Sequence, residues 1–210
     1  MTKIAFFDFD GTLTEGDSII SFMNHARSVR QKISRRKLFK GAVYGLLYVL
    51  KLKDEKQSKA AAMAFLNDMT GEEQAEFCRE YAETVLKKLL LPGGLEKIRQ
   101  LKEEGYAIWI VSASTENYMR YIAPMIGADE LICTRLDDHN VPIQNCKGAD
   151  KVIMIHERMR ERGIDERDTE TIAFGDSPSD LMMLRFADKG YAVNAKKKLK
   201  ENSSLEQIRW

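Results

Sequence analysis

Two aspartates one residue apart, Asp8 and Asp10, stand where a short apolar run, Ile4-Ala5-Phe6-Phe7, gives way to a Gly11-Thr12 turn. The run reads as a buried strand, and in open α/β sheets the chemistry gathers beyond the carboxyl ends of the strands. A carboxylate in that place can attack as a nucleophile, and a second one beside it can move a proton. Asp also begins loops and caps helices, so the pair alone is a weak signal. A second cluster strengthens it. In Thr171-Ile172-Ala173-Phe174-Gly175-Asp176-Ser177-Pro178-Ser179-Asp180 an apolar strand again ends at a glycine and carboxylates follow. Ser177 and Pro178 suit a helix start that carries Asp180 in its first turn. Asp8, Asp10 and Asp176 are expected to converge at one sheet edge, where a set of hard oxygen ligands without His or Cys suits Mg²⁺.

Two further pieces lie between these clusters. The apolar run Tyr106-Ala107-Ile108-Trp109-Ile110-Val111 opens into Ser112-Ala113-Ser114-Thr115. Hydroxyls and backbone N–H groups at a helix N-terminus can cradle phosphate, and Ser114 or Thr115 is expected to be the N-cap. The last piece is a lysine in the turn Cys146-Lys147-Gly148-Ala149-Asp150-Lys151, where a fixed ammonium would offset carboxylate and phosphoryl charge.

In this order the four pieces resemble the haloacid dehalogenase superfamily, and within it the phosphatases related to phosphoserine phosphatase, over essentially the whole chain. Thr134-Arg135-Leu136 followed by Asn145 to Val152 is similar to the same branch and selects Lys151 over Lys147. The resemblance implies a phosphoric monoester hydrolase in which Asp8 forms an aspartyl-phosphate and Asp10 serves as acid, then base. It implies Mg²⁺ held by Asp8, the Asp10 carbonyl and Asp176, with Asp180 orienting that shell. Ser112, Ala113 and Lys151 would hold the phosphoryl oxygens, and Asp17 and Ser179 would lie against the substrate. Dehalogenating members lack an acid at the position of Asp10, so its presence points to phosphoryl transfer. The alternatives are a phosphotransferase or phosphomutase using the same nucleophile, or a non-catalytic module that binds a phosphorylated ligand.

These residues need an α/β frame to position them. The expected fold is a three-layer, Rossmann-like core with a parallel sheet, because parallel strands demand helical crossovers. Between Gly16 and Leu91 no convincing strand is visible; helices are expected near residues 18–29, 35–52, 54–67 and 71–90. The domain reading is therefore a catalytic core of residues 1–15 and 92–210, with a helical type-one cap of residues 16–91 closing over the site. In the rest of the core, helices are expected near 95–104, 115–126, 151–162 and 179–187, strands near 131–134 and 190–193, and a hairpin tip over 137–142. Lys196-Lys197-Lys198 reads as a solvated turn.

Composition agrees with a globular enzyme. The 210 residues are 44% hydrophobic and 31% charged, and 33 Lys plus Arg against 32 Asp plus Glu leave a net charge of +1. That balance gives no reason to expect nucleic acid. The start, Met1-Thr2-Lys3, leads into the first strand rather than a cleavable leader. Cys78, Cys133 and Cys146 lack metal spacing and read as reduced thiols, so a cytoplasmic setting is expected. His25, His139 and His156 likewise have no metal spacing, and Trp109 is expected in the core with Trp210 packing the chain end against the sheet.

Substrate choice is expected to reside in the cap. Arg27, Arg30, Lys32, Arg35, Arg36, Lys37 and Lys40 lead into Leu46-Leu47-Tyr48-Val49-Leu50. A solvated helix junction followed by a buried helix of the cap is the favoured reading; contact of the basic run with an acidic lipid headgroup or polyanion at a membrane surface is the other. The apolar stretch is too short to span a bilayer. Asp17 stands where phosphoserine phosphatases carry a glutamate, and the paired Phe/Arg pattern of their caps is absent. The expected partner is thus a small phosphorylated metabolite, phosphoserine-like or phospholipid-headgroup-like.

Overall fold

The computed structural model describes residues 2–29, 35–50, 52, 54–202 and 204–210. At its centre lies a sheet of seven strands in the order β4-β3-β2-β1-β5-β6-β7. These are β1 (Thr2–Phe7), β2 (Ala107–Thr115), β3 (Glu130–Leu136), β4 (Pro142–Gln144), β5 (Thr169–Gly175), β6 (Lys189–Val193) and β7 (Glu206–Ile208). All neighbours pair in parallel except β3 and β4, the antiparallel hairpin whose tip the Asp137–Pro142 turn was expected to form.

Strand β1 is central because its side chains are apolar on both faces, which suits a strand covered from both sides. Ala5 and Phe7 join one core cluster with Ile108, Ile110 and Phe174, while Ile4 and Phe6 join the other with Trp109, Val111 and Ala173. Helices α5 (Pro92–Glu103) and α6 (Glu116–Met125) supply Ile98, Leu101, Tyr118 and Ile122 to the first cluster. Helices α7 (Ala149–Glu161), α8 (Leu181–Phe186) and α9 (Lys197–Asn202) supply Met154, Ile155, Met183, Leu184 and Leu199 to the second. The result is the three-layer arrangement anticipated from the sequence.

Between β1 and α5 the described residues contain no strand longer than an isolated bridge. They form α1 (Ser18–Ser28), α2 (Arg35–Val49), α3 (Glu55–Met63) and α4 (Gly71–Thr84), with 3₁₀ turns at Ala64–Asp68 and Leu86–Leu89. Three of these helices begin at side-chain caps, since Asp17 accepts from Ile20 N, Asp54 from Gln57 N, and Thr70 forms a capping box with Glu73. The chain enters and leaves this insertion side by side: Glu15 N donates to Leu89 O at 2.8 Å and Leu91 N to Leu13 O at 2.8 Å. Phe22, Phe65, Phe77 and Tyr81 of the insertion pack together and continue into the first core cluster, through Tyr118. Arg30 and Lys32 of the basic run lie outside the described residues.

Four expectations are corrected, and one strand is added. The stretch expected as a buried helix of the cap exposes Leu46 and Leu50, because nothing packs over that side of α2 among the described residues. Strand β2 does not stop at Val111 but continues to Thr115, with a register shift between Ser112 and Thr115. Neither hydroxyl at its end caps α6: Thr115 occupies the cap position without a side-chain cap bond and donates to Asn117 Oδ1, and Ser114 turns elsewhere. Lys197 and Lys198 lie in α9, and Lys196, although largely exposed, pairs with Asp176 of the acidic cluster. Strand β7 was not anticipated, because its three residues carry one apolar side chain and give no alternating signal.

Candidate active site

The carboxyl ends of β1, β2 and β5 bring the anticipated residues to one edge of the sheet. Asp8 follows Phe7 directly, its N–H donating to Phe174 O at 2.9 Å, so the ends of β1 and β5 are joined beneath the site. Gly11 makes this close approach feasible. Its φ of +82° is a left-handed conformation, and a Cβ there would stand 2.3 Å from Asp176 Oδ2.

Lys151 is the hub. From the first turn of α7 it reaches under β2, and its Nζ donates to Asp8 Oδ1, Asp180 Oδ1 and Val111 O, each at 2.7 Å. Its side chain is 1% exposed, so three acceptors are needed to keep an ammonium there. Burial pulls its pKa down, but the charges of Asp180 and Asp8 outweigh burial and hold it above the usual lysine range. The other oxygen of Asp180 accepts from Ser177 N at 3.0 Å and Ser177 Oγ at 2.7 Å, which forms the expected turn after Gly175 as a capping box. Burial pushes Asp180 up, and Lys151 more than compensates, leaving its pKa below the usual value.

Asp8, Asp176 and Asp180 form a buried cluster in which one oxygen from each lies within 4.8 Å of the others. Burial, then the charge of Asp180, push the Asp8 pKa up to about 8 against the pull of Lys151. Asp176 is also raised, by burial, although Lys196 Nζ approaches its Oδ2 at 2.6 Å. Carboxylates that resist ionising because they are buried, and then because they repel one another, are short of positive charge. An all-oxygen set in that condition fits a hard divalent cation, and Mg²⁺ is the choice its chemistry supports.

Asp10 is held differently. Its carboxylate accepts from Ser18 N at 2.8 Å, from Ser18 Oγ at 3.0 Å and from Ser114 Oγ. Ser18 Oγ in turn lies 2.7 Å from Ser114 Oγ and 3.0 Å from Tyr118 OH, and Tyr81 OH donates to Ser18 O at 2.7 Å. These hydroxyls steer the side chain away from the cluster. Burial, then the nearby charge of Asp17, push the Asp10 pKa up to about 6, opposed by the Ser114 and Ser18 bonds.

A cavity of about 730 Å³ opens over this edge, of a size suited to a small organic ligand. Asp8, Asp10, Asp176, Ser179 and Ala113 line its floor with Ser114 and Lys196, while Asp17, Ile19, Met23, Ala42 and Lys59 line it from the insertion. Asp17 is engaged as the α1 cap, and Ser179 Oγ lies 2.7 Å from Ser177 Oγ. Ser112 is placed behind the lining, buried, with its Oγ accepting from Ser114 N at 3.0 Å. Ser18, Ser114, Lys59 and Lys196 are the site residues that sequence reasoning missed. Lys59 Nζ, from α3, donates to Ala113 O at 2.7 Å and to Asn145 Oδ1, and pairs with Glu55 at 2.7 Å.

Residues 5–185 match the haloacid dehalogenase-like hydrolase family. Protein CicA of Caulobacter vibrioides is 33% identical over 195 residues, covering 89% of this chain and 84% of the relative. The phosphoserine phosphatase of Methanocaldococcus jannaschii is 26% identical over 214 residues, covering 97% and 90%. A solved structure of a Bordetella pertussis protein with unknown function superimposes with a TM-score of 0.90 at 20% identity, over 99% of this chain and 98% of that one.

Proposed function

The chain belongs to the haloacid dehalogenase-like hydrolases and is a phosphoserine phosphatase-like phosphatase, and from that premise we propose that it hydrolyses small phosphomonoesters with Mg²⁺ through an aspartyl-phosphate on Asp8. One observation carries this reading: Asp8 sits inside the carboxylate cluster while Asp10, two residues on, is turned out of it by Ser18 and Ser114. That difference supports reading the first as a metal-bound nucleophile and the second as a proton carrier.

In the proposed reaction an Asp8 oxygen attacks phosphorus, the bond from phosphorus to the ester oxygen breaks, and Asp10 gives its proton to the departing alkoxide. Water then attacks the same phosphorus, Asp10 takes its proton, and the Asp8 carboxylate is released with inorganic phosphate. Asp8, the Asp10 carbonyl and Asp176 would hold Mg²⁺, with Asp180 orienting them; the ion would supply charge neutralisation for carboxylate and phosphoryl oxygens. Lys151 fixes Asp8 and keeps positive charge beneath it. Ala113, which lines the cavity at the bulged end of β2, is proposed to receive the phosphoryl group, with Ser112 bracing that turn from behind through its bond from Ser114 N. A pKa of about 6 equips Asp10 to be an acid in the first step and a base in the second.

Residues 16–91 are proposed as a cap that excludes water during the first transfer, on a core of residues 1–15 and 92–210. The apolar side chains it contributes to the cavity, Ile19, Met23 and Ala42, favour substrates whose organic part is not wholly charged. Phosphoserine and phospholipid-headgroup phosphates are the two substrate types to compare.

The test is phosphate release across phosphoamino acids, sugar phosphates, nucleotides and headgroup phosphates, with and without Mg²⁺. We expect release that EDTA abolishes and that Asp8→Asn reduces to background. Release that persists in Asp8→Asn would refute the aspartyl-phosphate, and label retained on Asp8 without free phosphate would indicate transfer to another acceptor.

A further inference from the structure

The helix α2 carries a surface that the core does not use. Its inner side is fixed: Leu38 and Gly41 are buried, and a Cβ on Gly41 would lie 2.7 Å from Met23 Cε and 2.9 Å from Ala61 O, so the helix rests tightly on α1 and α3. Its outer side is apolar and uncovered. Phe39 is 71% exposed, Leu46 59% and Leu50 56%. At 3.6 residues per turn these three project within about 40° of one another, and Arg35 and Arg36 flank them on opposite sides. Leu52, past the end of the helix, is 67% exposed, and Ile20 of α1 is 61% exposed. Leu46 and Ile20 both line the cavity, so the cavity opens onto the apolar surface itself.

Charge is segregated here as well. Residues 27–53 hold nine Lys or Arg and no Asp or Glu, in a chain whose net charge is +1. Lys37 is tied to Asp68 at 2.6 Å, whereas Arg35, Arg36 and Lys40 are exposed beside the apolar stripe. Exposed apolar side chains rimmed by cations, on a helix with no acid, match the chemistry of an anionic lipid surface: the side chains enter the headgroup region while the cations meet phosphate. A second copy of the chain fits less well, because a symmetric contact would set this cationic stretch against itself. No helix among the described residues is long and apolar enough to cross a membrane, so the contact would be peripheral.

We propose that the outer face of α2 docks the protein on an anionic bilayer, with the mouth of the cavity toward the lipid. Docking does not depend on the catalytic reading, because it is measured by binding alone. The experiment is flotation of the full chain with vesicles of phosphatidylcholine, and of phosphatidylcholine mixed with phosphatidylglycerol, at several salt concentrations. We expect association with the anionic vesicles only, weakening as salt rises. Phe39→Asp should abolish it, and Arg35→Glu with Arg36→Glu should weaken it by at least about fivefold per cation removed. Acids are favourable in the first turn of a helix, so the double variant should keep its fold, which an unchanged Tm would verify. None of these residues lines the cavity, and hydrolysis of a soluble phosphomonoester should be unaffected. Absence of vesicle binding by the folded wild-type chain would overturn the proposal. So would binding that none of the variants alters, or a dimer that Phe39→Asp dissolves in a protein with no affinity for lipid.

Discussion

Asp8 and Asp10 are chemically identical and two residues apart, yet their partners divide them. Asp8 faces an ammonium and two other carboxylates, Asp10 a set of hydroxyls and the charge of Asp17. Because burial and Asp17 raise Asp10 to about 6, its folded form favours the proton; the stability this confers is complete below the ordinary aspartate range and is lost as pH rises through about 6. In the proposed mechanism the same titration sets the alkaline limb of kcat, since the leaving group needs a protonated Asp10. Asp17→Asn removes the neighbouring charge while an Asn still caps α1. The Asp10 pKa should fall, and the limb should move to lower pH, with kcat above it reduced about tenfold for each pH unit of displacement. A pH profile of kcat for both proteins checks this, and an unmoved limb would show that another group controls it. The acids and Lys151 were legible in the sequence because each follows an apolar strand or opens a helix. Ser18 and Ser114 were not, because what distinguishes them is a contact with Asp10 across 8 and 104 residues of chain.

At the scale of elements, the strands of the core announce themselves by continuous apolar runs, and the helical insertion by its caps at Asp17, Asp54 and Thr70. The fastening between insertion and core does not. Lys59 sits on α3 beside a run of alanines, with no neighbour in sequence that marks it as a site residue, yet it is 5% exposed. Its ammonium joins α3 to the end of β2 and to the loop before α7, through Ala113 O and Asn145 Oδ1. Burial lowers its pKa, with Glu55 opposing. Lys59→Met would keep most of the packing and remove these bonds. Thr134 Oγ1 still lies 2.7 Å from Ala113 O and 3.1 Å from Asn145 Oδ1, able to donate to one of them, and Lys147 still pairs with Glu55 at 2.6 Å. The expected loss is therefore moderate, about 1–3 kcal/mol. Thermal unfolding should show a lower Tm, and limited proteolysis should cut the variant faster where the insertion joins the core. Equal Tm values would mean that packing alone holds the two together.

For the whole molecule, the site is a debt of charge carried by a stable frame. The three layers converge strands from distant parts of the sequence on one edge, and the price there is a cluster of carboxylates whose own repulsion and burial raise Asp8 to about 8. Two lysines answer it unequally: Lys151 is buried and engaged three times, while Lys196 has a side chain 62% exposed and reaches Asp176 from solvent. Sequence reading took Lys196 as part of a solvated triplet, because its role depends on β6 and α9 returning to the end of β5. A cation that binds the folded cluster and not the unfolded chain must stabilise the fold, by about 2.7 kcal/mol at a hundredfold excess over its Kd. For a chain of this size that corresponds to a rise in Tm of roughly 5–10 °C. Mg²⁺ should produce the rise, EDTA should reverse it, and Asp176→Asn should remove most of it while folding normally, since the Lys196 that loses its partner is itself largely exposed to solvent. The readout needs no substrate, so it separates metal binding from catalysis. A Tm that Mg²⁺ leaves unchanged in the wild-type chain would show that the two lysines already satisfy the cluster, and the reaction would then need a different source of positive charge.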